Sequence, residues 1–246
     1  MGCGGRGMRL GCLLGLWSMT VLAAEAPVLS VYSVEYPPLV MKGDAGRSSG
    51  IAVEVIAQAA LLAGLGVRMP EMPWKRAQLQ VQQDADSCLI PFTRSPEREK
   101  LYRWVGLVLE SNQSFFINTH RSLVLNTLDD VRGKRVVALL GSSVADYLRK
   151  NNIPFSVLPT PEEAERELAA GVADIWAVHD VVAAYTIKQV GAPAGNFREG
   201  LRMQSTGIYL ACSLKMPDAT ALKLSRAFQQ LRENGKLEKI VAKYLK

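Results

Sequence analysis

The feature that most constrains the fold is an alternation of strand-like and helix-like segments that occurs twice along the chain. In the first half, apolar runs predict strands at residues 29–34, 67–72 and 88–92. Between them, apolar residues at helical spacing predict helices over residues 51–65 and 77–83. Strand, helix, strand, helix, strand is typical of a small parallel sheet with helices packed on its faces.

The second half of the chain has a similar organisation. Strands are predicted at residues 135–140, 155–158 and 173–178, and helices at residues 143–150, 161–170 and 181–190. A further strand at 208–213 precedes a mostly helical segment, 218–246, broken at Asn234-Gly235. We therefore expect two α/β units of similar size.

Several polar and aromatic residues lie just beyond predicted strands. Sheets of this kind bind ligands at the carboxyl ends of their strands. The candidates selected by this rule are Tyr36, Trp74, Phe92, Thr93, Gly141, Ser142, Ser143, His179 and Asp180.

The N-terminus has the features of a secretory signal. Arg6 and Arg9 precede an apolar run, residues 10–22, which small residues follow. The run is only about 13 residues long, whereas a membrane span needs about 20. We therefore predict that residues 1–24 are a cleaved signal peptide and that the mature protein is periplasmic.

Charge and composition argue against several classes of function. The formal net charge is +6, and the basic residues are scattered rather than clustered, so we expect no nucleic-acid partner. The two histidines, His120 and His179, have no metal-ligand spacing, and no nucleophile elbow or phosphate loop is present. We therefore expect no metal, no cofactor and no enzymatic activity.

Several short motifs in a set order carry a resemblance to a known family. They are Tyr36-Pro37-Pro38, Gly50-Ile51, Thr93-Arg94-Ser95-Pro96-Glu97-Arg98-Glu99, Gly141-Ser142-Ser143, Gly171 with Asp174, and Asn234-Gly235. With them the chain resembles the family-3 periplasmic solute-binding proteins, which include amino-acid receptors of ABC importers. The segments 73–77 and 104–106 resemble a branch of that family whose ligands are often unassigned.

The resemblance implies an α/β fold with two lobes, the type II periplasmic-binding-protein fold. Each lobe is then a small, mainly parallel sheet flanked by helices, with the ligand cleft between them. Residues 25–111 and 207–246 would form the first lobe, and residues 112–206 the second. The implied function is capture of a small polar ligand, an amino acid or related carboxylate, by a monomer that serves a membrane permease. The alternatives are a ligand-sensing partner of a membrane receptor and a dehydratase-like enzyme on the same fold.

The resemblance assigns Arg98 to the ligand carboxylate and Thr93 to a hydroxyl contact with the ligand. A guanidinium offers two parallel donors that match two carboxylate oxygens, and a hydroxyl both donates and accepts. From the residues alone, Arg98 could equally pair with Glu97 or Glu99 on the surface, and Thr93 could be a turn residue.

The turn at Gly141-Ser142-Ser143 is expected to face the ligand from the second lobe. Free backbone N–H groups at a helix start form an anion site, and the resemblance gives this turn to the ligand carboxylate. An ordinary serine N-cap is the alternative.

Two neighbouring residues compete for one further position. The resemblance implies an acid for the ligand ammonium beyond the strand that contains Asp174, but the count reaches His179, and Asp180 is one residue later. Which of them fills the position stays open. Tyr36 and Trp74 are expected to line the first-lobe wall, with core packing as the alternative.

Two cysteines, Cys88 and Cys212, remain after the predicted signal. Export permits a disulfide, and the resemblance places the strand of Cys212 beside the strand of Cys88. Their side chains could also lie on opposite faces of that sheet, so a bond and two free thiols both remain open.

Overall fold

The computed structural model describes residues 1–2, 4, 27–43, 47–70, 72–193 and 195–245. Apart from positions 1, 2 and 4, the predicted signal peptide lies outside the described residues. Among the helices of this described part, none is both long and apolar enough to cross a membrane.

The described chain is a mixed α/β structure with these bounds. The strands are β1 (Val28–Ser33), β2 (Met41–Lys42), β3 (Ser48–Ser49), β4 (Gly66–Arg68), β5 (Ser87–Thr93), β6 (Arg103–Asn118), β7 (Val136–Leu139), β8 (Ser156–Leu158), β9 (Ile175–His179) and β10 (Phe197–Cys212). The helices are α1 (Ile51–Ala63), α2 (Trp74–Gln83), α3 (Ser143–Lys150), α4 (Pro161–Ala170), α5 (Asp180–Gln189), α6 (Asp218–Glu233) and α7 (Lys236–Leu245).

Eight of these strands form one sheet in the order β4-β1-β5-β10-β6-β9-β7-β8. The strands β4, β1 and β5 are parallel at one end, and β9, β7 and β8 are parallel at the other. We call the first end, with α1, α2, α6 and α7, the first lobe, and the second end, with α3, α4 and α5, the second lobe. The predicted α/β class with two small parallel half-sheets is confirmed.

Two long antiparallel strands, β6 and β10, join the lobes. The predicted lobe boundaries fall inside both strands, where Ser111 pairs with Thr206 and Asn112 with Ser205. The chain therefore passes between the lobes twice without leaving the sheet. The exact boundary residues stay a prediction.

The sequence around α1 explains why this helix begins and ends where it does. Gly50 has a φ of 117°, and a Cβ there would lie 2.6 Å from the carbonyl oxygen of Leu39, so only glycine fits. The helix ends at Gly64 in the left-handed conformation. Its buried face includes Ile51 and Val55, which pack in the main hydrophobic core.

One predicted strand proved too long, because residues 67–72 contribute only the short β4. Pro70 and Pro73 cannot donate to a ladder, so the strand stops early. Pro73 then precedes the first residue of α2, which begins at Trp74 rather than Ala77.

A disulfide joins Cys88 and Cys212. The two residues are paired directly across the antiparallel strands β5 and β10, and both are fully buried. Directly opposed residues project to the same face of a sheet, so the two cysteine side chains do not lie on opposite faces. The disulfide hypothesis is confirmed.

Candidate functional site

Elements from both lobes converge on one small cavity. The end of β5, the loop after it, the first turn of α3 and the end of β9 enclose a volume of about 50 Å³. Of the eight predicted site residues, seven line it: Tyr36, Trp74, Thr93, Arg98, Ser142, Ser143 and His179. The remaining lining is mostly apolar, including Val34, Pro91, Phe92, Leu139 and Leu140.

His179, the last residue of β9, lies at the centre of this arrangement and is only 2% exposed. Its Nε2 lies 3.4 Å from Thr93 Oγ1 and 3.3 Å from Ser143 Oγ. Its other ring nitrogen, Nδ1, lies 3.2 Å from Ser111 Oγ. One imidazole therefore contacts a hydroxyl of each lobe and a hydroxyl of the connecting strand β6.

Hydrogen-bond directions define which nitrogen of His179 carries the proton. Ser111 Oγ donates to Asp180 Oδ1 at 2.6 Å, because a carboxylate oxygen accepts. The Ser111 oxygen is then the acceptor for His179 Nδ1–H. The lone pair of Nε2 consequently faces Thr93 and Ser143, both of which have a hydroxyl proton to donate.

Asp180 does not line the cavity. Its carboxylate accepts from Ser111 Oγ, from the backbone N–H and side-chain amide of Asn112 at 3.1 and 2.8 Å, and from the N–H of Val181 at 2.7 Å. Four donors on β6 and on the first turn of α5 hold the side chain beside the sheet. Of the two competing residues, the structure therefore brings His179 into the cavity and leaves Asp180 outside.

Burial lowers the pKa of His179 to about 4. The positive charge of Arg98 lowers it further and the negative charge of Asp180 opposes the shift, but desolvation is the largest cause. At neutral pH the imidazole is thus uncharged and acts as a hydrogen-bonding group only.

Arg98 reaches across the cleft. Its Nη2 lies 2.6 Å from Asp146 Oδ2 on α3, and its side chain is only 11% exposed. The guanidinium carbon lies 4.4 Å from the centroid of the Phe92 ring, within the range of a cation–π contact. The alternative of a surface pair with Glu97 or Glu99 does not occur, because Glu99 pairs with Arg94 and Glu97 with Lys150.

The two serines of the predicted anion turn have different surroundings. Ser142 is the N-cap of α3, where its Oγ accepts from Ala145 N–H at 3.1 Å and donates to the Leu139 carbonyl at 2.8 Å. Ser143 lines the cavity, and its Oγ accepts from the buried Gln113 Nε2 at 2.8 Å. The cap alternative therefore holds for the Ser142 side chain, whereas the Ser143 hydroxyl is free to donate inward.

Aromatic rings form the first-lobe wall. The Trp74 ring meets Phe92 edge-on at 5.8 Å, and the Tyr36 ring meets His179 edge-on at 6.2 Å. Burial raises the pKa of the Tyr36 hydroxyl, so the phenol stays neutral. Both aromatic residues line the cavity, and Tyr36 also belongs to the hydrophobic core.

A family model described as bacterial extracellular solute-binding proteins, family 3, matches residues 29–246. The chain belongs to this family. Its architecture of two half-sheets with a cavity between them is therefore that of a solute-binding protein.

Individual relatives agree with this membership. The L-cystine-binding protein TcyJ of Escherichia coli strain K12 is 25% identical over 215 residues, which cover 85% of this chain and 79% of that protein. A histidine-kinase sensor domain similar to periplasmic binding proteins has a TM-score of 0.78 at 22% identity, covering 90% of this chain and 97% of that one. An ABC uptake transporter substrate-binding protein from Streptococcus pneumoniae, with bound histidine, has a TM-score of 0.76 at 17% identity. The match covers 88% of this chain and 92% of that one.

Three residues of the cleft were not selected by the sequence argument. Ser111 and Gln113 are buried polar residues of β6, and Asp146 is on α3. A signal for the first two was available, because polar residues interrupt an otherwise apolar strand at 111–114. Asp146 had no such signal, since an acid in the first turn of a helix is ordinary.

No cluster of three or more histidine, cysteine or acidic side chains suited to a metal ion occurs within the described ranges.

Proposed function

We propose that this solute-binding protein is exported to the periplasm by its cleaved signal peptide. There, as a monomer, it captures a small carboxylate-bearing solute, an amino acid or a close relative. It then delivers this solute to the membrane permease of an ABC importer. One observation carries the proposal: among the described residues that line the cavity between the lobes, one guanidinium lies among neutral hydrogen-bonding groups. A carboxylate is the natural partner of such a guanidinium.

The mechanism follows from the division of the site. Thr93 and Arg98 belong to the first lobe, and Ser143 and His179 to the second. A ligand contacts both sets only when the cleft is closed, so it stabilises the closed state by those additional contacts. A permease that recognises the closed form would then receive only loaded protein.

The ligands bound by relatives support the ligand class and the partner. TcyJ is described as binding L-cystine, and the Streptococcus pneumoniae protein is described as part of an ABC uptake transporter and holds histidine. The relatives are described as binders or sensors, which supports our further proposal that the ligand is released unchanged.

A thermal-shift screen of protein purified from the periplasm tests this proposal. The panel is the amino acids, polyamines and small organic acids, because a ligand that binds the folded state raises the melting temperature. We expect a carboxylate-bearing compound to raise it and to leave the incubation chemically unchanged by mass spectrometry. A panel without any stabilising carboxylate would contradict the proposed ligand class, and a product from prephenate-like acids would contradict simple binding.

A further inference from the structure

Within the described part of the chain, the cavity lining carries one charge, and the nearby carboxylates are turned away or already paired. Arg98 is the one charged side chain among the described residues that line it. The nearby carboxylate of Asp180 is turned away and held by four donors. Asp146 is engaged with Arg98 itself, and Glu35 lines a separate groove of the first lobe with Lys42. A ligand in the cavity therefore meets a cation but no free anion.

The neutral groups opposite Arg98 have a defined polarity. His179 Nε2 presents a lone pair, because Nδ1–H is bound to Ser111, which Asp180 in turn holds. Thr93 and Ser143 place hydroxyls at 3.4 and 3.3 Å from that nitrogen. A ligand group at this point is offered one fixed acceptor and two hydroxyls that donate or accept.

Three common groups on the carbon next to a carboxylate can be compared at this point. An ammonium brings a full charge that loses its water, faces no counter-charge and lies near Arg98, which is unfavourable. A carbonyl oxygen only accepts, so it can take a hydrogen bond from Thr93 or Ser143 but has no proton to donate to Nε2. A hydroxyl is neutral, donates to Nε2 and accepts from Thr93 or Ser143, so it satisfies every group present.

The cavity also limits size. Its volume is about 50 Å³, and one water occupies about 10–15 Å³ on the same measure. A volume of this size holds only a few non-hydrogen atoms, which favours the shortest members of any ligand series.

We propose that the cleft selects short 2-hydroxy carboxylates, with His179 as the residue that prefers a neutral hydroxyl over an ammonium or a carbonyl. The inference rests on the proposed function and narrows its ligand class. Ser111 and Asp180 act through His179 as positioning residues. Their hydrogen bonds hold the imidazole proton on Nδ1, so Nε2 keeps its lone pair for the ligand.

Matched triplets on one carbon skeleton test the selection. We would measure glycolate, glycine and glyoxylate, and then lactate, alanine and pyruvate, by titration calorimetry on protein freed of bound ligand by unfolding, dialysis and refolding. The hydroxy acid is expected to bind at least about tenfold more tightly than its amino and keto partners, the difference of one unsatisfied buried polar group. An amino or keto acid that binds as tightly as its hydroxy partner would overturn the selection, while the binding function would stand. If no triplet member binds, the selection is wrong, and the wider thermal-shift panel then decides the binding function separately.

The variant His179→Asp sharpens the test by placing a carboxylate in the cavity. We expect the order of affinities to reverse, so that alanine binds at least about tenfold more tightly than to the wild type and lactate at least about tenfold more weakly. His120→Asp is the matched control, because it makes the same change at an exposed residue whose ring contacts Asn196. An unchanged order in a folded His179→Asp protein contradicts the proposal, and if this variant does not fold, the wild-type triplets still decide.

Ser111→Ala tests the positioning role. Without Ser111, His179 is free to carry its proton on Nε2 and donate to a carbonyl, while Asn112 still holds Asp180. We expect the lactate-to-pyruvate affinity ratio to fall by about tenfold, the value of one hydrogen bond to a fixed partner. A ratio equal to that of the wild type would show that Ser111 has only a structural role.

Discussion

The two lobes contribute different chemistry to the same cleft. The first lobe presents a cation, Arg98, packed on the ring of Phe92 with Trp74 beside it. The second presents neutral groups, chiefly Ser143 and His179, held by a chain of hydrogen bonds through β6. The difference suggests a division of work: charge in the first lobe attracts a carboxylate, and directional hydrogen bonds in the second discriminate among carboxylates.

The lobes also differ in how their site residues are held in place. The first lobe carries the disulfide at the far end of β5 and an aromatic cluster around Phe92. The second relies on buried polar contacts, which are costly if any partner is lost. We therefore expect mutations in the first lobe to separate stability from binding more cleanly than mutations in the second.

The largest expected effect is on stability alone. Replacing both Cys88 and Cys212 by alanine removes a bond that closes a loop with a sequence separation of 124. On the chain-entropy model this lowers the free energy of unfolding by about 5 kcal/mol. Affinity should change less than about threefold, because Cys88 lies some five residues, roughly 17 Å, from Thr93 along β5. Urea unfolding and calorimetry measure the two effects, and two free thiols in the denatured, unreduced wild type would contradict the premise.

The second prediction concerns pH and the second lobe. The pKa of His179 is lowered to about 4 in the folded protein, against about 6.5 for an unfolded chain. The unfolded state thus binds an extra proton as the pH falls from about 6.5 to 4, so stability is full above this window and declines within it by up to about 3 kcal/mol. Arg98, Asp180 and Tyr36 are the ionisable groups that face the ring.

Urea unfolding at several pH values across that window measures the effect. His179→Gln should flatten the pH dependence, whereas His120→Gln, which removes the exposed histidine, should leave it in place. If the free energy of unfolding changes with pH equally in the wild type and in His179→Gln, the pH dependence does not come from His179.

Arg98→Ala tests the charge contribution of the first lobe. Charge-assisted hydrogen bonds are worth roughly 1.5–3 kcal/mol each, so affinity for the carboxylate ligand should fall by at least about tenfold. The fold should persist by circular dichroism. Arg98→Lys is the matched control, because it keeps the positive charge but loses the two parallel donors of the guanidinium. Its affinity for the ligand should lie between those of Arg98→Ala and the wild type. An unchanged dissociation constant in Arg98→Ala would remove this residue from the site.

Ser142→Ala and Ser143→Ala form a pair within one turn of the second lobe. Loss of the Ser143 hydroxyl should weaken ligand binding by about three- to tenfold, the value of one neutral hydrogen bond. Loss of the Ser142 cap should instead lower the free energy of unfolding by about 1 kcal/mol with a smaller effect on binding. The reverse assignment of the two effects would contradict the geometry of the turn.

The smallest expected effect is at the cleft rim. Lys150 on α3 pairs with Glu97 of the first lobe at 2.9 Å, with both side chains more than half exposed. Exposed pairs contribute little, so Lys150→Ala should change affinity less than about threefold. A loss as large as that of Arg98→Ala would mean that the rim rather than the buried cavity controls closure.

Local pattern was sufficient for most elements of the fold. The helix predicted at 161–170 is α4 with the same bounds, because Thr160 caps it, Pro161 begins it and Gly171 ends it. The long connecting strands were underestimated, since residues 103–118 of β6 pair along their length with residues 197–212 of β10. Such pairing is a non-local property that propensity does not report.

For the site, the strand pattern was enough to predict which loops meet, because residues beyond parallel strands collect at one edge of a sheet. The roles of neighbouring residues within those loops could not be predicted from that pattern. His179 enters the cavity while Asp180 is held by Asn112 and Ser111 on β6, and Arg98 meets Asp146, 48 residues away along the chain. The physical reason is that the direction and hydrogen-bond partners of a side chain depend on strand register, and register is set by packing of distant segments.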